Sequence, residues 1–276
     1  MSPDPLQYAV AGLFALATFG TAVAVQARVI RRIARDGGLV RTQEFRMPDA
    51  LVAIVLATFF VGLGISAFVR HAEKGHAVKI EQVIPGSLVF VILVVGVAGF
   101  LQYRGLQLVP QLGLGRVPPL RVVGWALCLV LVAFALSAIA NLLTMAALHG
   151  QVEPQPLVQL FRDVAQRSDR GAIAQILLAG AVLAPICEEF LFRGFFYAVG
   201  KRYLGPLASG FITALLFAAI HQSLTAFAGL FVLALCLTFA YERTGSLLVP
   251  IGMHALYNFT SLGFIYLQAR GLVPPP

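Results

Sequence analysis

The sequence predicts an all-α fold: a polytopic membrane helix bundle of about eight transmembrane helices, with its chemistry in the C-terminal four. Three observations lead there. The 276-residue chain is 59% hydrophobic and 12% charged, with a mean hydropathy of +0.87, whereas soluble domains carry roughly 25% charged residues. Its apolar runs recur at about the 20-residue length that crosses a bilayer. Charged residues fall between those runs rather than inside them, with one exception treated below.

Taken in order, the spans are expected at 6–27, 50–69, 84–101, 122–148, 171–199, 207–222, 224–241 and 246–268. The first ten residues, "MSPDPLQYAV", carry no basic n-region, so the first run reads as an uncleaved span. The connector "RVIRRIARDGGLVRTQEFR" is the most polar. The segment before span 5 holds Leu157, Leu160, Phe161 and Val164 at helical spacing, which predicts a short amphipathic interfacial helix. Spans 6 and 7 are joined by a tight turn around "HQSL". The expected division is 1–150 for the N-terminal spans, 151–170 for a connecting loop, 171–268 for the catalytic transmembrane core and 269–276 for a tail. The net charge of +8 is not read as a nucleic-acid footprint, because the basic residues sit in short loops where they orient spans. With the N-terminus outside, inner segments hold 12 Lys and Arg and outer segments 7, Arg193 lying within a span. That bias predicts a multi-pass protein of the cell (inner) membrane with both termini non-cytoplasmic. Cys128, Cys187 and Cys236 are scattered through apolar runs with no CxxC pair, and read as small hydrophobic side chains.

The exception is "APICEEFLFRGFF". Glu188 and Glu189 are the acidic residues that sit well inside an apolar segment. A charge at mid-bilayer costs several kcal/mol, so such residues face the bundle interior and mark a functional site. Glu189 and Arg193 are four apart and share a helix face. Glu189 is therefore held ionised, while Glu188, about 100° away around the helix, has no local partner and is left to exchange a proton. Pro185 should loosen the helix there and free a carbonyl. Two further polar intrusions are "FAAIH", ending in His221, and "HALYN", which sets His254 and Asn258 on one face of span 8. At about 1.5 Å per residue, Glu188, His221 and His254 lie roughly 16, 21 and 12 Å deep, close enough to line one cavity. A buried carboxylate with a histidine can activate a water. A second histidine and an asparagine can donate to a developing oxyanion. The same Glu188, His221 and His254 could instead bind Zn²⁺ with a fourth position for water, although HExxH is absent.

"EEFLFR" (Glu188, Glu189, Arg193), "FAAIH" (Phe217, His221) and "HALYN" (His254, Asn258), in this order and each in its own apolar run, resemble the motifs of the CPBP family of intramembrane proteases. This family is also called the CAAX protease and self-immunity (Abi) family. The glycine in "FRGFFY" also fits. The resemblance covers about residues 171–268. It implies a membrane-embedded endopeptidase in which Glu188 and His221 activate the water and His254 and Asn258 stabilise the oxyanion. Glu189 and Arg193 then orient and tune Glu188, and Phe217 packs. It implies a membrane-associated protein or peptide substrate, lipid-modified near its C-terminus in the CAAX branch or carrying a C-terminal membrane anchor in the sorting branch, and no nucleic acid. Both metal-free and metal mechanisms have been argued for the family. The metal-free one is favoured here, with no cofactor and Zn²⁺ as the alternative, because Asn258 and a second histidine suit an oxyanion better than a zinc shell. The competing readings are a proton-coupled transporter or channel using the Glu/His set as a relay, and a non-catalytic immunity or scaffold protein of the same fold.

Overall fold

The computed structural model describes residues 35–74, 78–147 and 155–274, together with 31 and 33. The predicted span 6–27, His76 and His149 lie outside the described residues. The regular elements are all helical: α1 Met47–Lys74, α2 Val83–Tyr103, α3 Leu108–Leu112, α4 Pro119–Ala147, α5 Pro156–Gln166, α6 running from Arg170 to Ile220, α7 Leu224–Thr244 and α8 Leu248–Ala269. All except α3 and α5 are long and apolar enough to cross a membrane. The chain is a multi-pass membrane protein, and the seven predicted spans from 50–69 onward are all helical.

Apolar residues surround these helices on every side, because one face meets lipid and the other meets protein. Ile54, Val55, Ile92 and Leu131 point outward. α2 is the most peripheral span, with 11% of its apolar window buried, and α7 the most central, with 44%. α7 packs against α4 and α6, and α8 packs against α4. An aromatic wedge fastens α1 to α6: the Phe60 ring lies 6.1 Å from Phe192 and 6.0 Å from Phe196.

α6 holds two predicted spans. They part at Gly205, whose φ of +80° is a conformation only glycine takes readily, and Pro206 follows. The first limb, 170–204, is α6a and the second, 206–220, is α6b. Fifteen residues of α6b rise about 22 Å, short of the roughly 30 Å hydrocarbon core. α6b is therefore too short to cross that core along its axis, and the chain reverses at its end. His221 caps it, Gln222 takes a left-handed φ of +53°, and the Ser223 hydroxyl accepts from the Ala226 N–H to start α7. The turn lies in the predicted "HQSL" stretch.

The amphipathic segment is α5. Its apolar face is turned onto the bundle, with Phe161 and Ala165 fully buried and packed with Val83, Ile176 and Leu262.

Candidate active site

Two departures from α-helical geometry flank the glutamates. Ala179–Leu183 and Phe190–Tyr197 are π-helical. In the first, the Ala184 N–H reaches back five residues to the Ala179 carbonyl. The same step from residue 185 would end on Gly180, but Pro185 has no N–H to give. The freed Gly180 carbonyl accepts instead from Asn258 Nδ2 on α8 at 2.8 Å. The carbonyl expected from Pro185 is thus present, and its partner is one of the motif residues. In the second, the glycine after Arg193 is dictated by packing: a Cβ on Gly194 would stand 2.9 Å from Leu112 Cδ2.

Glu189 is fully buried and Arg193 is 2% exposed. Arg193 Nη1 donates to Glu189 Oε1 at 2.8 Å, and Nη2 donates to the Ala234 carbonyl of α7 at 3.0 Å. The guanidinium also lies 4.7 Å over the Phe217 ring. His254 Nδ1 sits 2.9 Å from the same Glu189 oxygen. Glu189 Oε1 already accepts from Arg193, and in the tautomer that pairs with the same oxygen His254 Nδ1 is the donor. His221 Nδ1 lies 2.7 Å from the Phe217 carbonyl, which only accepts, so this Nδ1 is protonated. Phe217 is the hub: its ring centroid lies 4.7 Å from the His221 ring and 5.8 Å from the His254 ring.

Both imidazoles turn Nε2 toward Glu188. Each Nε2 is 3.9 Å from Glu188 Oε2. That oxygen is buried and has no hydrogen-bond partner. A gap of 3.9 Å is too long for a direct hydrogen bond and is a spacing one water can bridge. Glu188 and His254 are buried, and the His221 side chain is 21% exposed. The glutamates, the arginine and both histidines therefore meet. Asn258 stands one turn beyond His254 with one amide hydrogen spent on Gly180 and the other left for an acceptor. Cys187 is buried beside Glu188, and Tyr257 stacks on Phe134 with centroids 4.3 Å apart, so both form wall.

The donor chemistry would suit a metal, since each histidine has its Nδ1–H anchored and its Nε2 free. The spacing does not. Ligands of one tetrahedral zinc at about 2.0–2.2 Å sit roughly 3.4 Å apart, and each Nε2 stands 3.9 Å from Glu188 Oε2. No step below runs through a metal.

Beside the site, α6a and α8 leave an apolar groove of about 340 Å³, lined by Leu178, Ala181, Val182, Ala255 and Phe259 among others. It begins one residue from Gly180 and one from His254.

Residues 170–260 match the model of the family described as type II CAAX prenyl endopeptidase Rce1-like. This segment is similar to the Rce1-like family. It contains every motif residue, from Glu188 to Asn258. An uncharacterized 24.3 kDa protein of Escherichia coli is 40% identical over 95 residues, 33% of this chain and 43% of the relative. The chain thus matches less than half the length of that relative. No solved structure matches it. The sequence alone did not reveal three features of this segment: the π-helical turns, the Ala234 carbonyl that holds Arg193, and the Gly180 carbonyl as the partner of Asn258. Pro185 signalled the last; nothing local signalled the other two.

Proposed function

We propose that this chain is an intramembrane endopeptidase that hydrolyses a peptide bond of a membrane-associated substrate by means of a glutamate-activated water. The observation that carries the reading is the unpartnered Glu188 Oε2 set between two imidazole nitrogens. Leaving a buried carboxylate oxygen unpaired costs stability, and a water supplies what it lacks.

The water donates one hydrogen to Glu188 Oε2 and the other to His221 Nε2, which aims its lone pair at a substrate carbonyl. Glu188 takes the proton as the water attacks, and returns it to the leaving amine. The oxyanion needs donors. Asn258 offers its second amide hydrogen. His254 offers Nε2–H when it carries two protons, with Nδ1–H on Glu189. Glu189 and Arg193 act by holding His254 and the α6a backbone. The apolar groove between α6a and α8 suits a membrane-embedded segment or lipid chain of the substrate, delivering a peptide bond sideways to the cluster. The lysine and arginine bias supports the cell membrane with both termini outside.

The test is hydrolysis of a library of C-terminal membrane peptides by the purified protein, with and without chelator. Cleavage that Glu188→Ala and His254→Ala each abolish, and that chelator leaves intact, is the expected result. Loss with chelator and recovery with zinc would replace the metal-free mechanism. Proton flux in liposomes with no cleavage would replace the hydrolase reading.

A further inference from the structure

The polar line on α6a does not end at the motif. From Glu189 and Arg193, steps of four residues continue to Tyr197 and Lys201, both buried. In a regular α-helix each such step advances about 40° around the axis, so Lys201 would end about 120° away from Glu189. The wider π-helical turn over Phe190–Tyr197 takes up part of that advance. Arg193, Tyr197 and Lys201 all reach α7: Arg193 to the Ala234 carbonyl at 3.0 Å, and Tyr197 Oη and Lys201 Nζ each to Glu242 Oε1 at 2.5 Å. Glu242 is 2% exposed. Its Oε2 accepts the Val40 N–H at 3.2 Å, and Lys201 Nζ also donates to the Val40 carbonyl at 3.0 Å. The Tyr197 carbonyl is held from α6b by Ser209 Oγ at 2.9 Å.

We propose that Glu242 is a positioning residue for the site: through Tyr197 and Lys201 it clamps the far end of the π-helical turn and so sets the direction in which Glu188, Glu189 and Arg193 point. π-Helical hydrogen bonding is rare and gives way to α unless something outside the helix holds it. Relaxing the register by one residue turns everything upstream by about 100°. That carries Glu189 off His254 and Glu188 off both imidazoles. Glu242 touches no reacting atom. It lies two turns of α7 beyond Ala234, the carbonyl that holds Arg193, so α7 acts as a rule with one mark at each end of the distorted turn.

The proposal uses the hydrolase reading only for its kinetic readout, so the experiment has a second arm that needs no substrate. In a Cys128→Ala, Cys236→Ala background, Cys187 is the remaining cysteine, and it is buried beside Glu188. Two variants are compared in detergent. Tyr197→Phe removes one hydroxyl. Glu242→Met with Lys201→Met removes the pair without stranding a charge. The expected result in both is a tenfold or greater rise in the rate of Cys187 labelling by a small thiol reagent. A tenfold or greater fall in kcat should accompany it, with KM within twofold and an unchanged thermal midpoint for Tyr197→Phe. Labelling rates equal to the parent's in both variants would overturn the proposal, as would kcat unchanged with labelling that rises only alongside a lowered midpoint. If the parent hydrolyses nothing, the hydrolase reading falls and the labelling arm still decides the clamp.

Discussion

Two buried acidic clusters lie along α6a, and they are wired differently. Around Glu242, both carboxylate oxygens have partners: a tyrosine, a lysine and a backbone N–H. Around Glu188 and Glu189, one oxygen of each carboxylate is buried without a partner. A satisfied buried ion pair rigidifies; an unsatisfied one costs stability that packing alone does not return. The first cluster has the form of a fastener. The second has the form of a site waiting for a molecule that brings hydrogens.

The comparison can be broken or sharpened by substitution, beginning with the largest effect. Glu188→Gln should lower kcat on a membrane peptide by about a thousandfold, the scale of a lost general base. The midpoint of unfolding in a denaturant titration should stay level or rise, because an unpaired buried charge is removed. A drop in stability would show that Glu188 is also a fastener. Glu242→Ala should act on stability as well: stranding Lys201 costs roughly 3–5 kcal/mol, read as an earlier unfolding midpoint alongside the smaller fall in kcat that follows from loss of the clamp. Asn258→Ala should show both characters. Leaving the Gly180 carbonyl unpaired costs about 1–3 kcal/mol, and activity should fall further than Tyr197→Phe makes it fall. Ser209→Ala should be the mildest, about 1 kcal/mol for one neutral hydrogen bond, with kcat within a few-fold of the parent.

How much of this was legible in the sequence depends on the range of the force involved. Span positions follow from length and apolar content, which are local, and the α6a–α6b break follows from the Gly205–Pro206 pair. The cluster was legible because Glu188, Glu189, Arg193, His221 and His254 each interrupt an apolar run. Depth counting put them in one layer but could not say which way they face. The burial of Glu242 and Asp49 was not legible. Both stand at span ends, where an acid ordinarily meets water. Their partners are remote in sequence: Lys201 is 41 residues from Glu242, and Asp49 pairs with Arg104 at 2.6 Å from the next span. The π-helical turns were hidden for the same reason. What holds them is Asn258 on α8 for one and Ala234 and Glu242 on α7 for the other, and no local propensity encodes either.

The early stop of α6b at His221 has an electrical side. The last carbonyls of a helix have no N–H partners within it and carry about half an elementary negative charge between them. In this protein that end stands beside the site, at Phe217 and His221. A group that becomes cationic beside it is stabilised, and an amine set free by peptide cleavage is such a group once it is protonated. In the proposed hydrolysis the truncated helix would draw the departing nitrogen toward α6b and leave the acyl oxygen to α8.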